Sequence, residues 1–552
     1  MRRIIPFITF MVMACSQPVM SQTMNKAYKV NSAVNPVLPY NLCADPTAVE
    51  YNGRLYVYGT NDQQELNTTG NKTTNTYGKI TQLVCMSTAD MVNWTFHGII
   101  KVKSLSPWIA TSWAPSVVSR EEEDGKTHFY LYYTNTASGI GVLTATSPTG
   151  PWRDPLGKAL IDWTTPGRGN QSNIIDPGVC IDDNGQAWLT FGGGDPNKTG
   201  TKLMPGNARI VKLGKDMISL DGSILPIPAP FHFEANELNY INGKYVFSYS
   251  GGWSCNSADW NNYEGRGNYP CPGNCSILAM TTDDPVNGTW EYKGEILKNP
   301  GTFGYPWGNN HSHLQKFGNE FYMIYHTQYL EAKYGISGGY RGIAINKANV
   351  SLPSVNITAS MDDAGPAIKA DKCPRANELV EAETMANCAG VNVIETTKYG
   401  CVVTDIDSGD WTMVRGLIFP EDARSVTVSI KGKGTMKIFS GRMNGTPLAV
   451  VDFDNATMSD VTVDLSKTIP SGKTYSNIFF AFYDVDESSA VQFNNYRFNT
   501  QTAEEVTTAI NNVELDSSDA KHSNATYNIS GLKVGANAKG IVIRNGRKQI
   551  VK

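Results

Sequence analysis

The stretch ADPTAVEYNGRLYVYG, residues 44–59, decides the fold. Apolar and aromatic residues run up to an Asn52-Gly53 turn and resume after it, the pattern of two antiparallel strands joined by a tight hairpin. The pattern returns four times, as WAPSVVSREEEDGKTHFYLYY from Trp113, DPGVCIDDNGQAWLTFGG from Asp176, EANELNYINGKYVFSYS from Glu234 and HSHLQKFGNEFYMIYH from His311. The five openings, Asp45, Trp113, Asp176, Glu234 and His311, are 68, 63, 58 and 77 residues apart. Units of that length hold four short strands each, and set radially they make a β-propeller of five blades whose equivalent positions converge on the axis. Three of the five openings are carboxylates, which predicts an acidic pocket there.

Around this repeat the chain is long, at 552 residues, and predicts two to four domains. The 47 basic and 51 acidic residues leave a net charge of −4 without a basic run, which argues against nucleic acid as a partner. The 26 Tyr, 11 Trp and 51 Gly suit an all-β protein rich in turns. Residues 1–21, with Arg2, Arg3 and an apolar run from Ile4 to Ala14, read as a signal peptide too short to span a membrane. Cleavage after Val19-Met20-Ser21 would release a secreted protein; Val12-Met13-Ala14-Cys15 resembles a lipobox and would tether it to the outer cell surface through Cys15. No transmembrane segment is expected.

The propeller is expected over residues 30–360 and a polar, Pro-containing linker over 361–377. Residues 378–500, with SVTVSIKG, TMKIFSG and NIFFAFYDV, have the texture and size of a β-sandwich. Residues 501–552 read as linker and a C-terminal tail with two or three short strands and a basic end, which resembles the sorting ends of exported proteins. In an exported chain the ten Cys make disulfides possible. A bridge among Cys255, Cys271 and Cys275 and another between Cys388 and Cys401 are expected; Cys43 and Cys180, on inner strands, are expected as buried thiols.

Acids converging from three blades suit hydrolysis of a glycosidic bond. That reaction needs a proton donor for the leaving oxygen and a carboxylate that activates water or attacks carbon. The donor must keep its proton near neutral pH, so burial or a neighbouring negative charge must raise its pKa.

The ordered motifs NPVLPYNLCADPTAVEYNGRLYVYGTND, STADMVNWTFHG, TSWAPSVV, IIDPGVCIDDNG, APFHFEANELNYINGKYVFSYS, GNNHSHLQKFGNEFYMIYHTQ and GYRGIAINK carry a resemblance. Over roughly residues 35–500 the chain resembles glycoside hydrolase family 43, and within it the arabinoxylan arabinofuranohydrolases that carry a family 6 carbohydrate-binding module. The resemblance implies an inverting mechanism with Asp45 as general base, Glu234 as general acid and Asp176 orienting Glu234 and raising its pKa. Base and acid carboxyls would then stand ~6.5–9.5 Å apart. Glu237 is the rival donor, expected on the opposite face by strand alternation. The resemblance also implies Asn309 and Arg341 as polar contacts to a bound arabinose and Trp113 and Trp253 as aromatic walls.

A calcium ion is implied near His311, with water and carbonyl oxygens completing its shell, and a structural calcium at Glu381 and Glu383 in the module. His313 would face the same way as His311. The expected activity is removal of α-L-arabinofuranosyl side chains from the plant cell-wall polysaccharide arabinoxylan, by a monomer. The alternatives are a β-xylosidase or arabinan-degrading enzyme of the same family, or a glycan-binding propeller without catalysis.

Overall fold

The computed structural model describes residues 22–508 and four further strands, Thr526–Asn528, Lys533–Val534, Gly540–Arg544 and Arg547–Val551, which pair into one antiparallel sheet. The signal peptide and Cys15 lie outside the described residues, as does most of the tail.

The five hairpins open five four-stranded sheets. Their first strands are Ala44–Tyr51, Trp113–Glu121, Gly178–Ile181, His232–Ile241 and Ser312–Phe317, the inner strands of blades 1 to 5. These strands touch one another in order around the ring, and the blade 5 strand meets that of blade 1. All four strands of blade 5 come from residues 312–359, so no swapped strand closes the ring. Closure runs instead through the backbone N–H of Asp45, which donates to His326 Nδ1 at 3.1 Å, and through Val37 N–H, which donates to the Ile343 carbonyl at 2.9 Å. Separate apolar cores fill the spaces between successive blades, such as Tyr58, Leu83, Phe129 and Leu143 between blades 1 and 2.

Hydroxyls stitch the blades together. Thr60, at the end of the second strand of blade 1, accepts the N–H of Ala114 at 2.8 Å, and Thr134 of blade 2 accepts that of Asp176 at 2.8 Å. Deeper down, Thr47 accepts the N–H of Val117 and Ser116 that of Val179, each at 3.1 Å. The repetition of this pattern reveals the register of the repeat. Asp45, Ala114, Asp176 and Ala235 all have positive φ (49°, 40°, 50° and 61°), and a bulge follows Ala44, Trp113 and Glu234 alike. Trp113 and Glu234 therefore precede the position that Asp45 and Asp176 occupy by one residue.

The C-terminal domain, from residue 380, is one strongly curled nine-stranded sheet. The strand Ala423–Ser440 serves both of its layers: residues 425–431 pair with Gln492–Asn499, and residues 435–440 pair with Lys473–Tyr483. The corner falls at Gly432, whose φ of 102° and whose closeness to Val491, which a Cβ would approach to 2.7 Å, require glycine.

The expected linker is packed against both domains. Lys369 N–H donates to the Asp90 carbonyl, Ala376 N–H to that of Ile418, and Asp362 Oδ1 accepts from Asn346 Nδ2. Its Pro-containing, non-periodic sequence marks irregular backbone, but irregular backbone can still be bonded to its surroundings. Beyond it, Thr384–Met385 pairs with Trp94–Thr95 and adds a fifth strand to blade 1.

The nine described cysteines are free thiols. Cys388 sits beside Lys29 and Tyr40 and Cys401 against Gly98 of blade 1, and the expected bridge between them is not formed. Cys255 lies near both Cys271 and Cys275, but as thiols. Cys43 and Cys180 are buried thiols, as expected.

Candidate active site

Asp45 is buried where blades 1 and 5 meet. Its Oδ1 accepts from Arg341 Nη1 at 2.7 Å, and its Oδ2 from Thr60 Oγ1 at 2.8 Å. His326 stands beside the carboxylate, with Nε2 3.1 Å from the Asn309 carbonyl oxygen and Nδ1 3.1 Å from the Asp45 backbone nitrogen. Burial by itself would raise the pKa of Asp45. The Arg341 guanidinium and the imidazoles of His326 and His311 outweigh it and hold the carboxyl far below the usual range.

Arg341 is itself locked. It meets the fully buried Asp62 twice, Nε to Oδ2 and Nη2 to Oδ1, each at 2.9 Å, and lies over the Tyr77 ring at 5.0 Å. It was expected as a sugar contact; in the structure it grips the base candidate. Asp62 was missed by sequence reasoning. Its signal was the acid in YGTND, just after the second strand of blade 1, where the chain turns back over the pocket end.

Asp176 and Glu234 form the opposite pole. Asp176 Oδ2 accepts the Ala235 N–H at 2.6 Å, so blade 3 grips the backbone next to Glu234. Burial raises both carboxyls to about 7; the charge of Glu234 adds to the rise on Asp176, and that of Asp45 to the rise on Glu234. Near neutral pH the site thus holds an ionised carboxylate on one side and, on the other, a pair of carboxyls that still carry protons in part.

Glu237 departs from expectation. The bulge at Ala235–Asn236 breaks the alternation, and Glu237 turns into the propeller interior. It is buried, with Oε2 2.9 Å from His313 Nδ1. His311 and His313 thus divide between layers, with His311 Nδ1 3.6 Å from Asp45 Oδ1 and His313 one layer deeper.

Trp113 is pinned by its indole N–H to the Tyr77 carbonyl at 2.9 Å, and Trp253 is 49% exposed in the loop after blade 4's second strand. Asn309 is half-buried, and its carbonyl anchors His326.

Among the described residues no group of three or more His, Cys, Asp and Glu is arranged to hold a metal. Near His311 the carboxylate oxygens of Asp45 are engaged by Arg341 and Thr60, so a calcium there would draw its shell mainly from water. Glu381 and Glu383 suit the ion better. Glu383 Oε2 is buried without a partner, and burial with the neighbouring Glu381 raises its carboxyl to about 8, the mark of a site short of positive charge.

Fold and family together define a propeller glycosidase. The chain belongs to glycosyl hydrolases family 43, whose family model matches residues 33–349. An arabinoxylan arabinofuranohydrolase of Paenibacillus polymyxa is 37% identical over 411 residues, covering 70% of this chain and 61% of that protein. One of Bacillus subtilis (strain 168) is 33% identical over 490 residues, covering 84% of this chain and 92% of its own. The crystal structure of a family 43 arabinoxylan arabinofuranohydrolase from Bacillus subtilis, in complex with cellotetraose, matches with a TM-score of 0.78 at 32% identity, over 87% of this chain and 99% of that one.

Proposed function

We propose that this family 43 glycosidase removes α-L-arabinofuranosyl side chains from arabinoxylan with inversion at the anomeric carbon. The observation that carries the reading is the division of charge across the pocket: Asp45 is held ionised by Arg341, while Glu234 keeps its proton to about pH 7. Asp45 takes a proton from water as the water oxygen bonds to the anomeric carbon. Glu234 gives its proton to the departing xylan oxygen, and the C–O bond breaks. Asp176 orients Glu234 through the Ala235 N–H, and Arg341, held by Asp62, orients Asp45. Trp113, Trp253 and Asn309 line the sugar's approach. The identities of the relatives support arabinoxylan as substrate. The residue 380–500 domain acts as a carbohydrate-binding module of the family 6 kind, with calcium at Glu381 and Glu383, and the enzyme is exported by its N-terminal signal.

The test is product analysis on arabinoxylan, linear arabinan and xylo-oligosaccharides in parallel. Free arabinose from arabinoxylan is expected; free xylose from the oligosaccharides would replace the reading with a β-xylosidase. In the same assay Asp45→Asn and Glu234→Gln each lower turnover by at least ~100-fold, the usual scale of acid–base catalysis. Near-normal turnover by either folded variant removes that residue from its role.

A further inference from the structure

Three large indoles stand out of the described surface: Trp163 at 41% exposure, Trp253 at 49% and Trp307 at 62%. Scattered exposed apolar residues are ordinary. These three share one end of the propeller, in the segments that follow a blade's second or fourth strand and therefore lie at the end where the inner strands begin. That end carries Asp45, Asp176 and Glu234.

Trp307 is the most exposed of the three, and its setting is built. It follows Pro306, and its ring lies against Gly301 in the turn Pro300–Phe303, where any Cβ would run into the indole. One face is thus backed by peptide. Asn299 anchors this loop: its Oδ1 accepts the Gly301 N–H at 3.0 Å, and its Nδ2 donates to the Gly308 carbonyl at 2.8 Å. The same Nδ2 donates to the Cys275 carbonyl at 3.2 Å, while Cys275 N–H donates to that of Gly252, next to Trp253. The loops bearing Trp307 and Trp253 are therefore tied through one buried asparagine. Two residues past Trp307, the Asn309 carbonyl holds His326 against Asp45.

We propose that Trp307 is a stacking subsite for a pyranose ring of the polymer backbone, outside the pocket that takes the side-chain sugar. A fixed indole with one open face offers the flat apolar surface that the C–H face of an equatorially substituted pyranose needs, with little rotamer freedom left to lose. Such a platform serves the xylan chain and does nothing for a small arabinofuranoside. The proposal rests on the arabinoxylan reading above.

The test compares Trp307→Ala and Trp307→Phe with the parent enzyme on arabinoxylan and on an aryl α-L-arabinofuranoside. For Trp307→Ala the loss in kcat/KM on the polymer should exceed that on the aryl substrate by about tenfold, carried by KM, with Trp307→Phe recovering most of it. Equal losses on both substrates, or none on the polymer, would overturn the proposal. Calorimetric binding of xylohexaose to full-length Glu234→Gln enzyme, with and without Trp307, separates the two readings. Binding that depends on Trp307 upholds the platform even if the parent releases no arabinose, and binding indifferent to Trp307 overturns it even if arabinose release is confirmed.

Discussion

At the scale of single residues, the site works by keeping carboxyls of the same chemistry in opposite protonation states. Asp45 faces a guanidinium that is fixed by Asp62 and cannot leave. Asp176 faces mainly desolvation and the charge of Glu234, Glu234 faces mainly desolvation and the charge of Asp45, and both rise to about 7. The sign of a pH effect follows. Glu234 must be protonated to act as acid, so activity falls as pH rises through about 7. The repulsion by which Glu234 raises Asp176 acts on both members of the pair, so in Asp176→Asn Glu234 gives up its proton at lower pH, and the alkaline limb of the kcat/KM profile moves down. An alkaline limb unmoved in an active Asp176→Asn enzyme would refute the coupling. The three acids were legible in the sequence because each opens a hairpin repeat. Arg341 was legible as a site residue but not as the partner of Asp45, since 296 residues separate them and only ring closure brings them together. Asp62 carried no repeat signal at all.

At the scale of elements, the hairpins announced themselves through Asn-Gly turns and aromatic runs, and all five formed. What the pattern could not carry was the bulge. Strict alternation places Glu237 opposite Glu234, but the positive φ of Ala235 inserts an extra residue and sends Glu237 to His313. Non-periodic segments misled in a different way: residues 361–377 lack any pattern because their bonds go to two different domains. The segment just beyond carries the expected calcium pair. Glu383 Oε2 is buried without a partner, and a hard cation between Glu381 and Glu383 would relieve both carboxylates. Millimolar calcium should therefore raise the melting temperature, a chelator should reverse the rise, and Glu383→Gln should abolish it. A melting temperature indifferent to calcium in the full-length protein would leave Glu383 as a buried, protonated acid with no ion.

At the scale of the whole molecule, propeller and sandwich share one interior. A single apolar cluster runs from Val57, Met86 and Trp94 of blade 1 and Ile343 of blade 5 into Met385, Trp411, Met413 and Val426 of the C-terminal domain. Residues 22–38 strap the two together. Asn25 bonds Gly409 and Asp410, the Trp411 indole donates to the Asn25 carbonyl, and Asn387 Nδ2 donates to the Lys29 carbonyl at 3.2 Å. Domains joined by a loose linker melt separately, whereas domains that share a core and a strand unfold as one unit. Calorimetry on the full chain should show a single transition. Deleting residues after 376 should lower the propeller's melting temperature sharply or leave it insoluble, because it uncovers Met86, Trp94 and the open edge of blade 1. The expectation is specific: activity on a small arabinofuranoside falls with stability, although Asp45, Asp176 and Glu234 all precede the cut. A soluble truncated propeller melting where the intact enzyme does, with full activity on the aryl substrate, would show that the sandwich is carried along rather than built in.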